Sequence, residues 1–177
     1  MTNNNTKLAK GKVTNSLYGQ LKKSSEDRKI NILRYGFKRF WNYFLESFAY
    51  NCPINSWRVK CHKLRGVNIQ GKVHIGRRCT LDHAYPEYIY IEDGAALTGD
   101  NYILAHSAHS GENANVLESF KAPVIIKKGA LIGVRAIILP GVTVHEGAIV
   151  SAGCTVSKSV KQRTIIASSK NRKIQMY

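Results

Sequence analysis

Aliphatic residues recur at every sixth position over the C-terminal half of the sequence. The first series consists of Ile126, Ile132, Ile138, Val144, Val150 and Val156. A second series of small or β-branched residues runs two positions earlier, at Val124, Ala130, Ala136, Val142, Ala148 and Cys154. An amphipathic helix needs a period near 3.6 and an alternating strand a period of 2. A sustained period of six is instead typical of a solenoid of stacked hexapeptides.

The period predicts a triangular prism in which each hexapeptide forms one short side and three hexapeptides complete a coil. The aliphatic residue of each unit points to the prism axis, and the small residue shares the interior because a larger one would crowd it. A fainter copy of the pattern lies upstream, at Ile69, Ile75, Leu81, Ile91, Leu97 and Ile103. The predicted fold class is therefore mainly β, a parallel β-helix, with a different N-terminal region.

Two interruptions of the repeat mark the expected functional region. The phase slips between Leu81 and Ile91, at DHAYPEY, and a polar stretch rich in turn formers separates Ile103 from Val124. An insertion adds no stability to a solenoid, so a break in a regular one is usually functional. The loop is assigned to residues 107–122.

The N-terminal third reads as helical rather than repetitive. Spacings of three and four predict an amphipathic helix over residues 28–50 with a large apolar face. That face consists of Leu33, Phe37, Phe40, Trp41, Phe44 and Phe48. The end of a solenoid needs a cap, so we expect this face to pack on the β-helix. Association of residues 28–50 with an anionic membrane surface is the alternative.

These patterns divide the chain into four segments. Residues 1–16 are expected to be disordered, and residues 17–65 to form a helical cap. The β-helix is placed at residues 66–160, and residues 161–177 form a basic C-terminal segment.

The net charge of +16 raises the question of a nucleic-acid partner. Its distribution argues against one. Residues 1–65 hold 14 Lys and Arg against 3 Asp and Glu, residues 66–157 hold 7 against 8, and residues 158–177 hold 6 against none. A nucleic-acid-binding domain usually spreads cations along its main face, and the repeat region has none to spare.

Features that the sequence lacks bear on the protein's compartment and on metal binding. The N-terminus lacks the apolar stretch of a secretory signal, which predicts a cytoplasmic protein, or one peripheral to the inner face of the membrane if the aromatic helix binds lipid. The four cysteines form no CxxC pair, and no two histidines are four positions apart. Free thiols and no metal are therefore expected.

The stretch VIIKKGALIGVRAIILPGVTVHEGAIVSAGCTVSKSV resembles the hexapeptide-repeat acetyltransferases, and in particular the sugar O-acetyltransferases of the galactoside, maltose and polysaccharide branches. IGRRCTLDHAYPEYIYIEDGAALTGDNYILAHS resembles a segment of the polysaccharide branch. The resemblance covers residues 66–175 or so. It implies a left-handed parallel β-helix, a homotrimer with active sites between subunits, and acetyl-CoA as co-substrate.

The same resemblance implies roles for individual residues. His106, in ILAHS, corresponds to the family's catalytic histidine, and Asp82 to a polar residue that contacts the acceptor. The remaining positions correspond to the coenzyme A site, with the Gly133–Val134 backbone meeting the thioester: Gly133, Val134, Ala152, Ser157, Lys158 and Arg172. A histidine can accept the hydroxyl proton as the acceptor attacks the thioester. His109 is the reserve candidate for the base.

The predicted function is acetyl-CoA-dependent O-acetylation of a sugar hydroxyl, in polysaccharide or glycoconjugate modification. Transfer to an amino sugar or to a serine-type acceptor remains open, as does a non-catalytic β-helix that binds nucleic acid or membrane.

Overall fold

The computed structural model describes residues 6–7, 31–108, 119–167 and 173–175. Within them the chain forms two α-helices, a 3₁₀ turn at Pro86–Tyr88 and short strands of two or three residues. The helices are α1 (Ile32–Asn51) and α2 (Asn55–Arg65). The strands are β1 (Thr6–Lys7), β2 (Asn68–Ile69), β3 (His74–Ile75), β4 (Thr80–Leu81), β5 (Ile89–Ile91), β6 (Ala96–Leu97), β7 (Tyr102–Ile103), β8 (His106–Ser107), β9 (Phe120–Lys121), β10 (Val124–Ile126), β11 (Leu131–Ile132), β12 (Ile137–Ile138), β13 (Thr143–Val144), β14 (Ile149–Val150), β15 (Thr155–Val156), β16 (Thr164–Ile166) and β17 (Lys173–Gln175).

Three sheets form the sides of the predicted prism. The first sheet has the order β13-β10-β5-β2 and the third the order β15-β12-β7-β4, and all pairs in both are parallel. The second has the order β17-β16-β14-β11-β6-β3, in which only the last pair, β16 with β17, is antiparallel. From β2 to β15, leaving out β8 and β9, successive strands visit the three sheets in turn, so each coil stacks on the previous one in register.

The interior of the prism is filled by the periodic residues. Every member of the first C-terminal series is at most 3% exposed, and so is every member of the second. Of the upstream series, Ile69 is 8% exposed and the rest are fully buried. The predicted inward orientation is therefore confirmed, and the hexapeptide period is the physical basis of the core.

Helix α2 caps the first coil through polar side chains. Asn55 pairs with the edge strand as another strand would: its amide donates to the carbonyl of Val73, and its oxygen accepts from the N–H of Ile75. Arg58 donates from Nε to the carbonyl of Ile75 at 2.6 Å. These contacts satisfy backbone groups that an open solenoid end would leave unpaired.

The apolar face of α1 is not the face that packs, and this expectation was wrong. The six residues predicted to be buried are between 42% and 81% exposed. The helix instead buries Asn42, Leu45 and Ala49, and its main packing partner is α2. The cap exists, but α2 makes it, because polar groups that match the edge of a sheet are needed there.

Segments outside the prism differ from expectation in detail. Thr6–Lys7, in the segment expected to be disordered, pair antiparallel with Phe120–Lys121. β9 also pairs antiparallel with β8, so the two ends of the loop predicted at residues 107–122 form a hairpin. All four cysteines are buried free thiols. Neither helix of the described part is long and apolar enough to cross a membrane.

Candidate active site

The two sequence interruptions meet at one corner of the prism, where His106 contacts Asp82. Nδ1 of His106 lies 2.6 Å from Oδ2 of Asp82. The same oxygen accepts from the N–H of Ala105 at 2.7 Å, and Oδ1 accepts from the N–H groups of Ala84 and Tyr85 at 2.9 and 3.0 Å. The carboxylate thus has four donors, and it fixes both the imidazole and the start of the phase-slip segment.

Asp82 is held as an anion. Burial by itself would raise its pKa, but the hydrogen bond and charge of His106, with the backbone N–H groups of Tyr85 and Ala105, lower the pKa to about 2. A carboxylate can only accept, so Nδ1 of His106 carries a proton in this pair. In the neutral imidazole Nε2 is then the basic nitrogen. The side chain of His106 is 19% exposed, so a ligand can reach the ring.

Asp82 itself offers little surface to an acceptor. The residue is 1% exposed and its side chain 0%. A direct contact with the acceptor, as the sequence implied, does not fit this burial. The geometry fits a carboxylate that orients the histidine.

A buried arginine holds the backbone next to the Asp82–His106 pair. Arg65, 1% exposed, donates to the carbonyls of Leu81 and Asp82 at 3.0 and 3.3 Å and forms an ion pair with Glu46 of α1 at 3.1 Å. Burial raises the pKa of Glu46, and the charge of Arg65 opposes that shift. The backbone at Leu81 and Asp82 is thereby tied to both helices.

His62 completes this buried cluster. Its Nδ1 lies 3.2 Å from Arg65 Nη1, and the ring is 1% exposed. Burial, with the charges of Arg65 and Arg58, lowers its pKa to about 3. His62 is therefore neutral and accepts from Arg65, as expected for a structural histidine.

Aromatic and basic side chains surround the open side of His106. The rings of His83 and Tyr85 lie 6.0 and 5.3 Å from it between centroids. Nζ of Lys121 lies 5.1 Å from the centre of the Tyr85 ring and 5.3 Å from that of Tyr88. A cluster of aromatic rings next to a cation and a base is suited to a polar acceptor with an apolar face.

The Gly133–Val134 backbone lies at another corner. Gly133 is packed so tightly that a Cβ would lie 2.5 Å from the nitrogen of Ala152. Its N–H already donates to the carbonyl of Val150 at 2.7 Å. The neighbouring Val134 N–H has no acceptor among the described residues, and its side chain is 42% exposed. Of the two amides, Val134 is the one that could donate to a ligand.

The other predicted coenzyme residues fall into two groups. Ala152 is exposed and stacks on Val134, as the pairing of β11 with β14 requires. Ser157 and Lys158 are exposed at the corner that follows β15, which lies in the same sheet as β4 and β7. Arg172 and the reserve base His109 lie outside the described residues. The structure therefore joins Asp82 with His106 but places the Val134 corner across a side of the prism.

Sequence reasoning missed several residues of this site. His83, Tyr85 and Tyr88 all lie within or beside DHAYPEY, whose broken phase was already a signal of function. Lys121 and Arg65 carried no signal, because only the fold brings Lys121 to Tyr85 and Tyr88 and Arg65 to the carbonyl of Asp82.

The repeat matches a known family model. Residues 123–158 match the model described as the hexapeptide repeat of succinyl-transferase. A 2,3,4,5-tetrahydropyridine-2,6-dicarboxylate N-acetyltransferase from Staphylococcus aureus is 44% identical over 71 residues, which are 40% of this chain and 28% of that protein. The chain thus spans under a third of that relative's length.

Solved structures share the fold. A maltose O-acetyltransferase from Clostridium difficile superposes with a TM-score of 0.55 and 18% identity, covering 78% of this chain and 85% of its own. A galactoside acetyltransferase in complex with coenzyme A gives a TM-score of 0.54 and 16% identity, covering 79% and 80%. Together with the parallel sheets, these matches confirm the left-handed parallel β-helix. The family model and the sequence relative confirm the resemblance to hexapeptide-repeat acetyltransferases.

Proposed function

We propose that this chain, a left-handed parallel β-helix built on the hexapeptide repeat, is an acetyl-CoA-dependent acetyltransferase that acts on a sugar hydroxyl. The observation that carries the proposal is the pairing of a buried, ionised Asp82 with His106 at 2.6 Å. This pairing supplies an oriented base at the start of the loop that follows His106. The fold shared with sugar O-acetyltransferases and a coenzyme A complex adds support.

His106 is the general base in this mechanism. Nε2 takes the proton of the acceptor hydroxyl while its oxygen attacks the thioester carbonyl. Collapse of the tetrahedral intermediate breaks the carbon–sulfur bond, and the imidazolium returns the proton to the departing thiolate of coenzyme A. Asp82 stays ionised throughout and stabilises the imidazolium.

The developing oxyanion needs a hydrogen-bond donor, and we assign it to the Val134 N–H rather than to Gly133. In one chain this amide and His106 lie at opposite ends of one side of the prism, because the pairing of β12 with β7 places Ile138, and not Val134, level with Ile103. A single active site can unite the two only across a subunit boundary. This separation supports the homotrimer.

Acetyl-CoA would bind along the exposed edge residues. Ala152, Ser157 and Lys158 are open to solvent, and Lys158 and Arg172 carry charges suited to the phosphates of the coenzyme. No metal takes part in this mechanism, because the base and the amide supply the chemistry.

Transfer to an amine is the second candidate, favoured by the N-acetyltransferase relative. The same base would serve an amino sugar; a serine-type acceptor would instead be acetylated on its hydroxyl and belongs in the same acceptor panel. Mass spectrometry of products from acetyl-CoA and a panel of sugars, amino sugars and nucleotide- or lipid-linked sugars decides between them. An acetylated hydroxyl supports the proposal, an acetylated amine supports the second candidate, and no product from any acceptor contradicts both.

A further inference from the structure

One side of α1 presents a continuous apolar surface to solvent. We call it the aromatic stripe; it consists of Leu33, Phe37, Phe40, Trp41, Phe44 and Phe48, with exposures of 81%, 70%, 67%, 46%, 54% and 42%. Their spacing confines them to an arc of about 100° on the helix. The stripe is about 22 Å long at the rise of an α-helix. Scattered apolar residues need no explanation, but a contiguous aromatic surface marks an interaction site.

The stripe continues onto the start of α2. The rings of Phe48 and Trp57 stack at 6.1 Å between centroids, and Trp57 and Ile54 are 55% and 49% exposed. Between the helices an apolar groove of about 550 Å³ is lined by residues that include Phe44, Phe48, Ile54 and Trp57. The apolar surface is thus wider than one helix face and includes a recess that can take apolar groups.

Cations border the stripe without compensating acids. Arg34 and Lys38 line a second recess with Phe37 and Trp41. The single acid among residues 31–65, Glu46, is engaged with Arg65 and does not balance Arg34 and Lys38. A second copy docked through the same stripe would bring these cations together. An anionic surface would neutralise them.

We propose that the aromatic stripe binds the surface of a lipid bilayer that contains anionic phospholipids. The helix lies in the plane of the membrane, with its aromatic side chains at the level of the headgroups and upper acyl chains and its cations on the phosphates. Neither described helix can cross the membrane, which is consistent with an interfacial arrangement.

The active site lies on the other side of α1. Glu46 contacts Arg65, which holds the carbonyl of Asp82, and the charge of Arg39 contributes to lowering the pKa of His83, after the larger effects of partial desolvation and the opposing charge of Asp82. At 100° per residue both Arg39 and Glu46 point away from the stripe. Membrane binding therefore leaves His106 accessible. The inference goes beyond the proposed acetyl transfer and does not depend on it.

Vesicle co-sedimentation of the full chain at physiological salt tests the inference. The wild type should bind vesicles of mixed phosphatidylcholine and phosphatidylglycerol and should bind phosphatidylcholine alone much more weakly. Phe37→Ser combined with Phe44→Ser should reduce binding by at least about tenfold, since two large apolar contacts are lost. Tyr43→Ser is the matched control, because Tyr43 is 70% exposed but lies outside the stripe; it should bind as the wild type does.

The charge requirement has its own pair of variants. Lys38→Glu should weaken binding about fivefold or more, as expected for a cation at an anionic surface, whereas Lys60→Glu on α2 should have a smaller effect. Circular dichroism on each variant checks that the fold is kept. Equal binding of wild type and stripe variants overturns the inference. Failure of the wild type to bind anionic vesicles also overturns it. If the stripe variants then have a lower mass than the wild type in light scattering, a second copy covers the stripe.

Discussion

Nδ1 of His106 lies 2.6 Å from Oδ2 of Asp82, although 24 positions separate the two residues in the sequence. One coil of the β-helix brings them together, since Thr80–Leu81 and Tyr102–Ile103 are paired neighbours in one sheet. The repeat thus determines the geometry of the pair. The proton on Nδ1 follows from the ionised state of Asp82, and in the neutral imidazole Nε2 then holds the free electron pair.

Asp82→Asn should reduce kcat by roughly 10²- to 10⁴-fold, because an amide can stabilise the wrong tautomer of His106 and cannot balance the imidazolium. The KM for acetyl-CoA should change little. Steady-state kinetics on the variant measures both. Asp100→Asn is the matched control, since Asp100 pairs with the exposed Arg78 away from His106. Near-normal turnover in Asp82→Asn would remove the orienting role.

Gly133→Ala should destabilise the fold by about 1–3 kcal/mol through overpacking, because its Cβ would lie 2.5 Å from the backbone nitrogen of Ala152. Gly36→Ala is the matched control in α1, where nothing lies within 4 Å and the backbone is ordinary. It should instead stabilise by about 0.5–1 kcal/mol. Thermal unfolding of the two variants should shift in opposite directions, and a shift in the same direction would contradict the packing described here.

His62 should make the protein sensitive to acid. Its pKa is about 3 in the folded chain and 6.5 in the unfolded one. Below pH 6.5 the unfolded chain takes up a proton that the folded chain refuses, so stability falls as the pH decreases, by up to about 1.4 kcal/mol per pH unit. The loss ends near pH 3, where the folded chain also accepts the proton.

His62→Asn should reduce this dependence between about pH 6.5 and pH 4.5, because the amide oxygen can accept from Arg65 without titrating. The contributions of His83 and Glu46, whose pKa values burial lowers and raises respectively, are common to both proteins. Asp82 does not interfere in that window: its pKa is lowered to about 2, so the stability that it adds is lost only below about pH 3.8. His145→Gln, at an exposed position, should leave the curve unchanged. Denaturant unfolding at several pH values gives the slopes, and equal slopes for wild type and His62→Asn would contradict the prediction.

Lys158→Ala and Arg172→Ala should each raise the KM for acetyl-CoA several-fold and leave kcat nearly intact, because a contact remote from the thioester contributes uniform binding. Lys72→Ala, an exposed cation in the first coil, serves as the control. Initial rates over a range of acetyl-CoA concentrations separate the two parameters. A loss of kcat alone would place these residues at the reacting atoms.

The β-helix was predictable because each periodic residue faces the same axis, so that one-dimensional spacing carries three-dimensional information. The site was predictable only in part. His106 and Asp82 stood beside the interruptions, but their hydrogen bond depends on coil stacking, and Arg65 reaches Asp82 only through the packing of α2. The prediction that the aromatic face of α1 packs on the β-helix was wrong, because periodicity identifies an apolar face but does not indicate what it contacts.

The kinetics of His106→Ala test the central claim most directly. With acetyl-CoA and an acceptor identified from the product panel, the variant should lose roughly 100- to 10,000-fold in kcat, the usual effect of removing a general base. Acetyl-CoA affinity should be nearly unchanged, because the imidazole acts on the acceptor proton. His109→Ala is the control and should be much milder. Wild-type turnover in His106→Ala would contradict the account, whether or not His109→Ala were inactive.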